Sequence, residues 1–368
     1  MDRLKNELMV LANENRLRGL YPACGVDFTS NDYLGFRQHP ALRQAAIEAL
    51  QNGIEVGAGG SRVLRGNHSA HESLEAAAVK FFGAEASLYF ANGFLANLAL
   101  MSMPARQDII LFDAFIHASL RDGIQANAAR HIRIPHNNLD AFDDALRRVS
   151  SPERLCWVAV ESVYSMDGDL APLPKLLEIC KNHGAYLIVD EAHATGIFGP
   201  QGSGLTHGLK YERLITLHTC GKALGVAGAL VCSTKTVIDT LINRARSFIY
   251  TTAPMPIQAT LVEKALQLSA EADATREKLS SLCALAAKSF SIPSPSTIFP
   301  VILGDDRVAL ETADYIQSQG FDVRAIRPPT VPENTARLRI AINALLTEAD
   351  ILGLAKALKT HAAARVAA

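Results

Sequence analysis

Between about Ala86 and Thr219 the hydrophobic and polar positions switch repeatedly between two periods. Short apolar runs rich in β-formers, ASLYF, DIILF, HIRIP, LCWVAVE and YLIVD, are separated by stretches with helical spacing: GFLANLALM, SLRDGIQANA, LDAFDDALRRV and LPKLLEICKNHG. Such alternation predicts an α/β unit with a mostly parallel sheet. Unbroken runs such as YLIVD, Tyr186 to Asp190, predict central strands covered on both faces, since a half-exposed strand would alternate polar with apolar. YLIVD ends on a carboxylate, at the edge where open α/β sheets bind their ligands.

Past about Ala270 the pattern changes. A charged helical stretch, EADATREKL, leads into SIPSPS at Ser291 to Ser296, which reads as a boundary. Beyond it STIFPVILG, a helical pattern near Arg307 to Gln319, FDVRAI, ARLRIAI and a last helix from about Thr347 predict a smaller α+β domain. The expected organisation is an N-terminal segment over 1–35, a large domain over 36–270 and a small C-terminal domain over 271–368. The uncharged run Ala86 to Ala105 has a length that would span a bilayer, but Asn92, Gly93, Asn97 and Pro104 within it predict a strand, a turn and a buried helix.

Charge and cysteine usage narrow the classes further. With 36 basic and 37 acidic residues the formal net charge is -1, which removes a global attraction to nucleic acid or anionic lipid and favours small ligands recognised locally. The six cysteines form no CxxC pair and lack the spacing of a zinc site or a disulfide framework. They predict reduced thiols in a cytoplasmic protein, and the charges spread through the first 20 residues do not resemble a secretion signal. Eleven histidines invite a metal-hydrolase reading, yet no HExxH or clustered ligand spacing supports it.

Candidate chemistry centres on Lys222, in TLHTCGKALGVAGAL (Thr216 to Leu230), where a lysine follows a predicted strand among small residues. An arbitrary Gly-Lys in a loop is more often a solvated turn lysine, and Ala223 after it breaks the GxxxxGK[ST] pattern of a nucleotide loop. The chemical alternative is a Schiff-base lysine, accessible and set among groups that fix an aromatic cofactor. Those groups occur upstream. Asp190 can accept a hydrogen bond from a protonated pyridine nitrogen and so keep the ring an electron sink, and His193 can reach the ring's phenolic oxygen. The turn at Gly93 and Phe94 opens a predicted helix whose first amides form an anion site for a phosphate. Ser165 and Thr219 offer hydroxyl donors, and His117, just past a predicted strand end, offers a flat ring to stack on the cofactor and move protons. Each residue alone has an ordinary reading as a cap, turn or core position; the aspartate strand end followed by a lysine after the next strand is the specific combination.

Taken in order, FTSNDYLG (Phe28 to Gly35), GAGGSRVLRGNHSAHESLE (Gly57 to Glu75), SMDGD, VDEAHATG, the Gly-Lys pair and ARLRIA (Ala336 to Ala341) resemble the α-oxoamine synthase family of fold-type I pyridoxal-phosphate enzymes over nearly the whole chain. The resemblance implies a homodimer that uses pyridoxal 5'-phosphate to condense an amino acid with an acyl thioester. AIRPPTVPENTARLR (Ala325 to Arg339) points within the family to L-alanine and a pimeloyl thioester of coenzyme A or acyl carrier protein, in biotin synthesis. Lys222, Asp190, His193 and His117 match the family's cofactor lysine, pyridine partner, phenolic-oxygen contact and stacking ring, and Gly93, Phe94, Ser165 and Thr219 its further cofactor contacts. Arg339 matches the substrate-carboxylate arginine, and Arg18, Asn31 and Thr330 match substrate-facing positions. The same resemblance implies that Thr251 or Thr252, in SFIYTTAPMP, reaches the other subunit's cofactor. The competing expectations are another α-oxoamine synthase (2-amino-3-ketobutyrate ligase, 5-aminolevulinate synthase or a serine palmitoyltransferase) and a scaffold that keeps the fold without catalysis.

Overall fold

The computed structural model describes residues 2–367, which divide into two compact units. The larger comprises Leu34–Ser165 and Leu170–Asp273; the smaller comprises Met1–Tyr33, Met166–Asp169 and Ala274–Ala368.

In the larger unit seven strands form one sheet in the order 86–90, 229–233, 214–219, 186–190, 156–161, 109–113, 130–134. The last five run parallel to one another, and 229–233 runs antiparallel to both of its neighbours. Two apolar clusters cover its faces. Ile110, Phe112 and Ile188 join one, whereas Ile109, Leu111, Leu187 and Val189 join the other. Successive side chains of a strand point to opposite faces, so a sheet covered twice needs runs such as YLIVD in which neither set is polar. The strands end in register at one edge: Glu161 pairs with Asp190, and Asp190 with Leu217 two residues before Thr219. Helices Gly93–Met101 and Ala118–Ala126 start at turns on that side, capped by the Asn92 and His117 side chains, which accept from Leu95 and Ser119 N–H groups. The uncharged run 86–105 is thus a strand, a turn and a helix, and among the described residues no helix is long and apolar enough to cross a membrane.

The smaller unit holds a three-stranded antiparallel sheet, Arg324–Ile326, Ala336–Ala341 and Ile298–Gly304, with Ala336–Ala341 central. Val26–Asp27 and Phe321–Asp322 form a short parallel pair. Residues 166–169 belong here because Arg337 on the central strand binds Asp167 Oδ1 at 2.5 Å and the Met166 carbonyl at 3.3 Å, while Gly168, at φ +74°, lies too close to Ile298 O for any side chain.

Candidate active site

Every cofactor candidate named from the sequence lies in the larger unit. Lys222 sits in a tight loop after strand Leu214–Thr219, closed by Gly225 N–H to Lys222 O (2.9 Å) and Val226 N–H to Cys220 O (3.0 Å). The small residues around it have a steric reason. A Cβ on Gly225 would fall 2.4 Å from Arg37 N, and one on Gly196 would fall 2.7 Å from the Ala223 Cβ. Lys222 Nζ lies 3.0 Å from His193 Nε2, so the loop lysine and the Asp-x-x-His turn meet.

Asp190, buried at the end of its strand, is fixed by two donors: Ala192 N–H to Oδ1 (2.9 Å) and Asn97 Nδ2 to Oδ2 (2.8 Å). Beside it in register is Glu161, also buried. Its Oε2 accepts the Ser165 N–H at 3.1 Å, and its Oε1 has no hydrogen-bond partner among the described residues. Burial first and the neighbouring Asp190 charge second push the Glu161 carboxyl up to about 8, against the pull of Lys222. Of two adjacent carboxyls, the one with more donors holds the charge and the other holds a proton.

Gly93 opens its helix against Thr219, where a Cβ would come within 2.7 Å of Thr219 Cγ2. Only glycine therefore lets the first turn, with its unsatisfied N–H groups, approach that strand end. Phe94 follows on an exposed face, and the Thr219 hydroxyl reaches the Ala192 carbonyl at 3.4 Å. The exposed His117 caps Ala118–Ala126, with Nδ1 2.7 Å from Ser119 Oγ. Its imidazole titrates below the usual histidine range, chiefly through the protein packed around its inner edge, with the Asp190 charge opposing and Lys222 assisting. Solvent at the open face tempers the first of these.

The four substrate candidates lie in the smaller unit and form two pairs. Buried Arg339 donates from Nη2 to Asn31 Oδ1 (2.9 Å) and to the Tyr33 hydroxyl (3.3 Å), and exposed Arg18 donates to Thr330 Oγ1 (3.2 Å). Asn97, Ser119 and Glu161 are additions that the sequence reading did not single out. The signal for Asn97 was a lone amide in the apolar helix GFLANLALM, and for Glu161 a strand ending, like YLIVD, on a carboxylate.

An open α/β sheet whose ligand edge gathers an accessible lysine, a doubly anchored aspartate and a helix start defines a class, and the chain belongs to the aminotransferase class I and II family, whose model matches residues 24–358. Its curated relatives are more particular. An 8-amino-7-oxononanoate synthase from Chromobacterium violaceum is 42% identical over 329 residues, covering 87% of this chain and 84% of that one. Among solved structures, a serine palmitoyltransferase from S. paucimobilis with a bound PLP–myriocin aldimine superposes with a TM-score of 0.89 at 28% identity, covering 99% of this chain and 97% of that one. An 8-amino-7-oxononanoate synthase from Francisella tularensis superposes with a TM-score of 0.79 at 27% identity, covering 93% and 99%.

Proposed function

We propose that this protein condenses L-alanine with a pimeloyl thioester, of coenzyme A or acyl carrier protein, releasing CO2 and the free thiol and forming 8-amino-7-oxononanoate, with pyridoxal phosphate as cofactor. The observation that carries the reading is the meeting of Lys222, His193 and Asp190 at the ligand edge of the sheet, in a chain 42% identical to a synthase of that name. The donor set fits the cofactor: an amine for its aldehyde, a fixed carboxylate for its pyridine nitrogen, and a helix start that Gly93 brings against Thr219 for its phosphate. Bound there, pyridoxal phosphate supplies an electron sink for negative charge at the α-carbon of the amino acid.

The chain's own residues do the rest in this reading. Lys222 would hold the cofactor through its amine, and its Nζ would take the α-proton of the amino acid. Asp190 holds the proton of the pyridine nitrogen in place. The first-turn N–H groups at Gly93 and Phe94 would bind the phosphate, the Thr219 and Ser165 hydroxyls would serve as further donors to phosphate or ring, and His193 would contact the ring's phenolic oxygen. His117 stacks on the ring. Arg339, steadied by Asn31, pairs with the substrate carboxylate through its planar fork, and Arg18 and Thr330 bind the remaining substrate groups. The protein acts as a cytoplasmic homodimer. Exposed Tyr250 and Met255 flank Thr251 and Thr252 on apolar surface that a second copy would cover, which lets those threonines serve the other subunit.

The fold also superposes on serine palmitoyltransferase, so a panel of alanine, glycine and serine against short and long acyl thioesters is the direct assay. Turnover is expected with alanine and the pimeloyl thioester. Purified protein should absorb in the visible with bound cofactor, and borohydride should fix the cofactor to Lys222. A reducible lysine adduct retained in Lys222→Ala would show that another lysine holds it.

A further inference from the structure

His117 and Asp190 are joined by two residues to which the proposed chemistry gives no part. Asn97, buried in helix Gly93–Met101, donates from Nδ2 to Asp190 Oδ2 at 2.8 Å and to Ser119 Oγ at 2.9 Å. Ser119 Oγ lies 2.7 Å from His117 Nδ1, and the Ser119 backbone N–H points at the same nitrogen at 3.2 Å. Donor and acceptor capacities fix the hydrogens here. A backbone N–H only donates, so Nδ1 accepts and carries no proton. An ionised carboxylate only accepts, so the Asn97 amide must turn its NH2 toward Asp190, and its second hydrogen then points at Ser119. The serine oxygen thus accepts from Asn97 and its own hydrogen is left for Nδ1. Every link runs in one direction, from the amide outward.

We infer that Asn97 and Ser119 are positioning residues that hold His117 as the neutral tautomer with its proton on Nε2. Two consequences follow. The imidazole presents a hydrogen-bond donor on the side away from the helix cap, which is what a substrate oxygen gaining negative charge requires; that use rests on the function proposed above. The link to Asp190 is also insulating. A carboxamide donating both hydrogens passes no proton, so His117 can exchange protons at Nε2 while Asp190 keeps its charge. The buried Asn97 Oδ1, without a hydrogen-bond partner among the described residues, marks what this orientation costs.

The test is nitrogen-15 spectroscopy of the histidine side chains in the whole protein, with and without pyridoxal phosphate, His117 being assigned by its loss in His117→Gln. Above its titration, His117 should show an unprotonated Nδ1 and a protonated Nε2. In Ser119→Ala, where only the backbone donor remains, the tautomer ratio should move by about tenfold toward Nδ1–H, the worth of one neutral hydrogen bond at about 1.4 kcal/mol. Ser119→Thr should restore the wild-type ratio. A wild-type proton on Nδ1, or an unchanged ratio in Ser119→Ala, would overturn the assignment. Failure to bind pyridoxal phosphate would instead count against the proposed function, because the tautomer is read in the unliganded protein as well.

Discussion

Replacing Glu161 by glutamine should make the protein progressively more stable than the wild type as pH rises, and the size of the effect follows from where the carboxyl sits. Glu161 is buried beside Asp190 with a single backbone donor, which raises its carboxyl from an ordinary 4.5 to about 8. Between those values the folded chain keeps the proton that the unfolded chain has lost. Raising the pH then favours the unfolded state, so this group's contribution is complete below 4.5 and is lost as pH climbs through about 8. The slope is about 1.4 kcal/mol per pH unit. From pH 5 to pH 7 that amounts to about 2.5 kcal/mol, after allowing for the share of unfolded chains still protonated at pH 5. Glutamine keeps the shape and an acceptor for the Ser165 N–H but does not titrate. Asp190, Lys222 and Asp113, the charges that bear on Glu161, are common to both proteins and cancel to first order. An entropy of unfolding of about 2.1 cal/mol/K per residue turns 2.5 kcal/mol into about 3 °C for a chain of 368 residues. The assay is built into the same strand. Trp157, the one tryptophan in the sequence, is buried four residues before Glu161, stacked on Tyr186 at 4.2 Å and bonded to Asp108 Oδ2 at 3.1 Å, so its fluorescence reports the melting of that strand. The melting gap between Glu161→Gln and wild type, measured without cofactor at pH 5 and pH 7, should widen by about 3 °C. A gap that stays constant or narrows would mean that Glu161 is ionised in the folded protein, and the assignment of the proton to it would fail.

Two further outcomes are expected. Asp190→Asn should bind pyridoxal phosphate yet lose nearly all turnover, because an amide cannot hold the pyridine nitrogen protonated; the lost charge-assisted hydrogen bond alone is worth about 1.5 to 3 kcal/mol, and single-turnover absorbance after mixing with alanine would record it. Gly93→Ala should weaken cofactor binding at least tenfold by equilibrium dialysis, since its Cβ would meet Thr219 Cγ2 at 2.7 Å and push the helix start off the strand end. Unchanged affinity would remove that turn from the phosphate site.

The central strands of the large sheet were readable because each had to be apolar on both faces, which leaves unbroken runs such as YLIVD. The Lys222 loop was readable for a related reason: crowding from Arg37 and Ala223 selects small residues around a lysine, and that pattern is local. Other parts depend on contacts far apart in the chain. Nothing near Asn97 in the sequence says that its amide faces a carboxylate 93 residues away. The SMDGD segment reads as one motif, yet Ser165 falls in the larger unit and Met166–Asp169 in the smaller, held there by Arg337, 170 residues from Asp167. Distances of that kind are set by topology and leave no periodic trace.

The interleaving of the two units has a consequence during synthesis. Residues up to Tyr33 belong with 274–368, so after they leave the ribosome a stretch of 240 residues from Leu34 to Asp273 must be made before most of their partners exist, apart from the four at 166–169. At about 5 to 20 residues per second this is a wait of roughly 12 to 48 s. The strand pair Val26–Asp27 with Phe321–Asp322, and the bond from Ala341 N–H to Phe28 O, can close only after it. Meanwhile Phe28 and Tyr33, fully buried in the finished protein, are open to chaperones and proteases on the nascent chain. The yield of folded protein should therefore respond to translation speed across the middle of the message, where no residue of the waiting segment is encoded.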